Sequence, residues 1–355
     1  MTPGKTLPRG EANSVFGLSE AQLRPIVEAA VGESVASFDI SIEHEVEGYY
    51  GFAAEKAIPT FSYVTSAGRR GRITVFAKHS HNPKSEEPEQ YRFLAAHHAP
   101  IPRIYGVLRS PDDRPVLFLE YVDASHPARS IRSLEGMQEF LSLMARFNAI
   151  RPSREYGAWL EGLPGRWGND AAEPERTREA IWKHAQEGEL GDELEQFCSQ
   201  RQAELPRLQE FARHILGQVA EMETGLVHTD FSVENTGRRD TGERVLMDLE
   251  PVTIGPRFFD ASLLLGLPKD RWRFGHDQRE MAEHYLSEYA RRGGTRPPVD
   301  QFVQEVRVLW THWIIETLAW GFGRGREGSP ADDEERAACR LGLLRNLTML
   351  LDRYC

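Results

Sequence analysis

The chain has 355 residues, of which 40% are hydrophobic and 27% charged, and a formal net charge of −11, with mean hydropathy −0.50 and an isoelectric point near 5.6. This composition excludes wholesale disorder and a membrane protein, and its acidity disfavours a nucleic-acid binder, which needs a basic face. The length exceeds what one hydrophobic core usually organises, so two lobes and a sizeable buried cleft are expected.

In chain order, the opening "MTPGKTLPRGEANSVFG" lacks the apolar core of a signal peptide and reads as flexible. "SEAQLRPIVEAAVG" predicts a helix capped by Ser19 and stopped by Gly32, with Pro25 weakening its middle. From "FDISIEHEV" to "VLFLEYV" the pattern turns to short β-rich runs. "TFSYVTSAGRRGRITVFAKHS" predicts a hairpin about the turn "AGRRG". "EEPEQYRFLAAHHAP" predicts a helix, and "RIYGVLRS" and "RPVLFLEYV" two strands joined at "PDD".

Beyond Val122 the chain turns mainly helical, most clearly in "RSLEGMQEFLSLMARFNAI", with further helices predicted over 172–187, 190–222, 277–292, 299–320 and 331–353. The expected organisation is α+β: a small β-rich lobe over 1–122 and a larger helical lobe over 123–355. Cys198, Cys339 and Cys355 are odd in number, widely spaced and without a CxxC pair, which argues against a disulfide framework or zinc site and fits a reducing cytoplasm. No stretch has the unbroken apolar length of a membrane span.

One stretch carries chemistry. "GLVHTDFSVENTGRRDTGERVLMDLEP", residues 225–251, reads as strand, polar loop, turn and returning strand. That order puts Asp230 at the start of the loop, Asn235 within it and Asp248 at the end of the second strand. Phosphoryl transfer needs such a set: a carboxylate to take or orient the acceptor's proton, and an oxygen-rich pair to hold magnesium against phosphates. Asp230 suits the first role, Asn235 and Asp248 the second. Turn formation is the plainer role for Asx residues in a loop, and for Lys78, at the end of the alternating strand "ITVFAK", it is solvation.

His228, Asp230 and Asn235 in the spacing His-x-Asp-x-x-x-x-Asn, followed by "VLMDLE", are similar to the catalytic loop and metal segment of the aminoglycoside phosphotransferase and choline kinase-like enzymes, relatives of the protein kinases. "IGPRFFDAS" resembles the element that follows in that family. The resemblance implies a protein-kinase-like two-lobe fold with ATP (or GTP) and Mg2+ as cofactors. It gives His228 a structural role in the loop, Asp260 a bracing role beneath it, and Lys78 a place against the nucleotide phosphates. Glu87 is the best match for the acid that steadies Lys78, with Glu86 and Glu89 left open. "LFLEYV" resembles the hinge strand, where the backbone of Glu120, Tyr121 and Val122 would bond adenine.

The departures are specific. Thr229 stands where the family usually has glycine, Ser232 where a second histidine is frequent, and Phe147 and Asn148 replace a common Leu-His. "GPRFFD" lacks the usual Asp after its glycine, and "VEGYYGFAAEKAIP" does not form the glycine-rich phosphate loop of protein kinases.

The implied partner is a small-molecule hydroxyl substrate, with a polycationic aminoglycoside foremost and choline-like alcohols, sugars and homoserine open. Neither nucleic acid nor membrane is expected, and monomer and homodimer are both compatible. A catalytically silent kinase-like binding protein is the alternative from another class. Trp310, His312, Trp313, Glu316 and Trp320 recur at near-helical spacing and read first as core packing.

Overall fold

The computed structural model describes residues 14–45, 54–124, 131–162 and 204–323, with isolated positions between 345 and 352. The chain divides into two compact units, Met1–Leu143 with Ser232–Pro251, and Met144–Phe231 with Val252–Cys355.

In the first unit, α1 (Glu20–Val31) begins at Ser19, whose side chain accepts the Gln22 amide while Gln22 reaches back to the Ser19 backbone. It ends at Gly32 in the left-handed conformation, φ 78°. Both ends are set by residues within one turn, a side-chain cap at Ser19 and a left-handed glycine at Gly32, which is why the sequence shows them. Then follow β1 (Val35–Glu45), β2 (Ala54–Thr65), β3 (Arg70–Ser80), α2 (Glu87–Ala96), β4 (Ile104–Arg109) and β5 (Pro115–Glu120). The strands form one antiparallel sheet in the order β1-β2-β3-β5-β4.

The first three strands run 11, 12 and 11 residues, longer than the short runs expected. Pro59 lies inside β2 beside a register shift between Ile42 and Glu45 of β1, so the ladder tolerates a residue with no N–H to donate. Alternation along β3 sends Val75 and Ala77 into a core with Leu23, Ile26 and Val27 of α1 and Phe118 of β5. Lys78 leaves from the other face. The hairpin β7 (Thr236–Arg238) and β8 (Arg244–Leu246) belongs to this unit, anchored where the Leu246 amide donates to the Pro100 carbonyl at 2.8 Å.

Helix α3 (Leu134–Asn148) runs from the first unit into the second. The second unit continues with α4 (Arg154–Glu161), α5 (Leu205–Ala220), β6 (Thr224–Val227), β9 (Thr253–Pro256), α6 (Phe259–Leu265), α7 (Gln278–Arg291) and α8 (Val299–Gly323). β6 and β9 pair antiparallel, Leu226 opposite Ile254. Phe258, Tyr285 and Phe302 are fully buried and pack ring on ring, Phe258 edge-on to Phe302 at 4.9 Å between centroids. Gly266 ends α6 where no side chain fits: a Cβ there would stand 2.3 Å from the Val306 carbonyl of α8. Trp310 and His312 are buried in α8, as core packing requires, and Trp313 is half-buried.

Helices α4 and α6 were not anticipated, because eight and seven residues give little periodicity to read. The helix expected over 172–187 and the segment 46–53, where a phosphate-covering loop would lie, fall outside the described residues. So do most of 331–353 and the first part of 190–222. No helix among the described residues is long and apolar enough to cross a membrane.

Candidate active site

Lys78 ends β3 almost buried, 6% exposed, and its ammonium meets Glu87 Oε2 at 2.8 Å and Asp248 Oδ1 at 2.7 Å, with Glu250 Oε2 at 3.7 Å. Of the three acids at the start of α2, Glu87 alone makes this pair; it is 3% exposed, while Glu89 bonds Arg92 in solvent. Glu86 is the N-cap and makes no side-chain cap bond. Burial by itself opposes the charge on Lys78, but the two carboxylates against it outweigh that and raise its pKa. The Glu87 pKa is also raised, first by burial and then by Asp248 and Glu250, which share the same ammonium. Three carboxylates face one cation, an excess of negative charge.

The β7–β8 hairpin sets the other side of this cluster. The Asn235 backbone carbonyl accepts the Met247 amide at 2.8 Å, extending the ladder that pairs Thr236 with Leu246 and bringing Asn235 beside the residue that precedes Asp248. Asp248 takes φ 54°, in the left-handed region where Asp is tolerated better than most residues. The hydroxyl of buried Tyr91 lies against its backbone. Glu87, Asp248 and Glu250 offer carboxylate oxygens within 4.8 Å of one another. An all-oxygen donor set suits a hard divalent cation such as magnesium.

The loop after β6 is held from below by Asp260, in the first turn of α6 and completely buried. Its carboxylate accepts the His228 amide at 2.9 Å, the Thr229 amide at 2.9 Å and Asn148 Nδ2 at 2.7 Å. Asn148 also donates to the Leu226 carbonyl at 3.2 Å and accepts the Tyr285 hydroxyl at 3.0 Å. The His228 ring is buried edge-on between Phe147 and Phe231. Asp230, one residue past this clamp, is exposed.

Burial pushes the Asp260 pKa up to about 6, against the lowering pull of its three donors. A carboxylate raised in the folded state makes its full contribution to stability below its unfolded pKa and loses it as pH rises through the folded one. Here that window runs from 3.8 to about 6. The stability of the wild type minus that of Asp260→Asn should therefore fall by up to about 3 kcal/mol between pH 4 and pH 7 in urea titrations.

Thr229 adopts φ 64°, which costs a β-branched residue about 1–2 kcal/mol. Thr229→Gly should thus raise stability by about 0.5–1 kcal/mol, the strain relieved less the entropy that glycine gains in the unfolded chain. A shift of the urea midpoint to lower concentration would contradict this account.

A family model described as the phosphotransferase enzyme family matches residues 56–302. The chain belongs to that family. Its fold is also that of solved phosphotransferases. Spectinomycin phosphotransferase APH(9)-Ia, in complex with ADP and spectinomycin, superimposes with TM-score 0.58 at 10% identity over 95% of this chain and 98% of that one. Plasmodium vivax ethanolamine kinase gives 0.53 at 12% identity over 90% and 83%. An aminoglycoside phosphotransferase from Alicyclobacillus acidocaldarius gives 0.51 at 17% over 87% and 95%. At such identities the likeness is one of fold. No curated protein matches the chain by sequence.

In this phosphotransferase the residue at the usual glycine position, Thr229, has the backbone conformation for which glycine is suited. At the expected hinge strand, the Glu120 amide donates to the Arg103 carbonyl at 2.8 Å, and Asp123 exchanges two backbone bonds with Arg238. Tyr121, exposed, and Val122, buried, lie between these anchored points. The Glu120 side chain is turned to Arg239, whose Nε bonds it at 2.9 Å while Nη2 holds the Ile101 carbonyl at 2.8 Å.

Arg239, Tyr91, Glu250, Asn148 and Tyr285 were not predicted as site residues. Glu250 was in view, as the last letter of "MDLE", and Asn148 as the substitute for a common histidine. The others gave no local signal.

Proposed function

We propose that the protein transfers the γ-phosphate of ATP, with magnesium, to a hydroxyl of a small molecule. The observation that carries this reading is the buried Lys78 ammonium held between Glu87 and Asp248 in a member of a phosphotransferase family. A flexible lysine stem needs such clamping to present one charge at a fixed place. Lys78 holds the α- and β-phosphates, and Glu87 keeps it there. Asn235 and Asp248, with Glu250 beside them, would hold the magnesium, which would offset the negative charge of the phosphates. The cluster's excess negative charge supports that assignment.

Asp230 orients the acceptor hydroxyl and takes its proton as the oxygen attacks the γ-phosphorus. Asp260 and His228 fix the loop that carries it, and the backbone of Glu120, Tyr121 and Val122 receives the adenine. The acceptor is an aminoglycoside or related amine-bearing alcohol. The solved relatives bind spectinomycin, or by name act on ethanolamine, both alcohols carrying amines.

A screen of γ-labelled ATP against aminoglycosides, amino alcohols and sugars tests the reading; label passing to none of them while nucleotide still binds would favour the silent binding protein. Asp248→Ala should weaken magnesium–nucleotide binding by at least about tenfold in calorimetry, and an unchanged affinity would remove Asp248 from the metal site.

A further inference from the structure

The second unit holds a cavity of about 670 Å³ at the opposite end of β6 from Asp230. Its wall includes Glu223, Thr224 and Gly225, where β6 begins, and Asn148 to Arg154, where α3 ends and α4 starts. The volume falls within the range of small-ligand sites, about 300–1,000 Å³.

Its charge is opposite to that of the whole protein. Arg151, Arg154 and Arg257 line it against Glu161 and Glu223, in a chain of net charge −11. Glu223 is already paired with Arg257, which leaves Glu161 as the other acid among the described lining residues beside Arg151 and Arg154. Arg151 gives one N–H to the Gly293 carbonyl at 2.7 Å, out of the five that a guanidinium carries. Arg257 is only 9% exposed, and its Nε has no hydrogen-bond partner among the described residues. Ile150, Pro152, Ala158, Ile254 and Tyr289 supply apolar surface beside these cations. Guanidinium groups next to apolar walls select a carboxylate or phosphate carried on an apolar body.

Asn148 is common to this wall and to the clamp on the loop. It lines the cavity, and its side-chain amide bonds Asp260, which holds the His228 and Thr229 amides. We infer that the cavity is a binding site for a small organic anion, and that its occupancy is transmitted through Asn148 and Asp260 to the loop carrying Asp230.

The test uses the full chain and phenyl phosphate, with benzyl alcohol as the uncharged control. Calorimetry should show phenyl phosphate binding and no benzyl alcohol binding. Affinity should fall about tenfold or more in Arg151→Glu/Arg154→Glu and measurably in the milder Arg154→Ala. Backbone amide exchange at 226–229 should slow when phenyl phosphate is added. Neither readout requires turnover, so the result is independent of the phosphotransfer reading. Affinity unchanged in the arginine variants but abolished by saturating magnesium–ADP would place the anion at Lys78 and overturn the inference. Binding without slower exchange at 226–229 would overturn the transmission.

Discussion

Asp230→Ala should lower kcat by about 10²–10⁴-fold, the usual worth of a positioned general base, with nucleotide affinity and stability near wild type. The stability half follows from placement. Asp230 is exposed, while the His228 and Thr229 amides are held by the carboxylate of Asp260. Removing its carboxylate therefore leaves the clamp whole. The activity half depends on Asp230 being the proton acceptor. Single-turnover transfer and nucleotide titration on one preparation separate the two, and a variant retaining a large fraction of wild-type kcat would assign the base elsewhere.

Lys78→Met should be costly in both respects. Glu87, 3% exposed, would lose its cation while remaining beside Asp248 and Glu250, and breaking such a buried pair costs about 3–5 kcal/mol. Phosphate affinity should fall with it. Lys78→Met/Glu87→Leu separates the roles, because an apolar pair of similar volume needs no countercharge. Urea titration should find most of the stability restored, and the kinetic assay no restored activity. Recovery of turnover in the double variant would show that Lys78 serves the fold alone.

What the sequence disclosed was short-range or periodic. The Ser19 cap, the Gly32 stop, the hairpin at "AGRRG" and the two faces of β3 each depend on residues a few places apart. The loop residues were readable because phosphoryl transfer restricts residue type and spacing together. Glu87 could be preferred over Glu86 and Glu89 only through the family pattern; its burial and its 2.8 Å pair with Lys78 are tertiary facts. Tyr285 and Asn148 are 137 positions apart, Arg239 and Glu120 are 119, and no periodicity links such pairs. Helices α4 and α6 escaped for a different reason, being too short for a face to repeat.

The order in which the chain fills its two units restricts how it can be divided. It leaves the sheet-bearing unit after Leu143, re-enters it at Ser232 and leaves again after Pro251. The visit is short, but it delivers Leu246 to the Pro100 carbonyl, Arg239 to Glu120 and Asp248 to Lys78. No single scission can therefore release the sheet-bearing unit intact. A piece ending near Leu143 would expose the seat of the missing hairpin and leave the lysine without two of its three acids, Asp248 and Glu250. Grafting Ser232–Pro251 onto that piece through a short linker is the minimal edit that restores what the linear sequence separates.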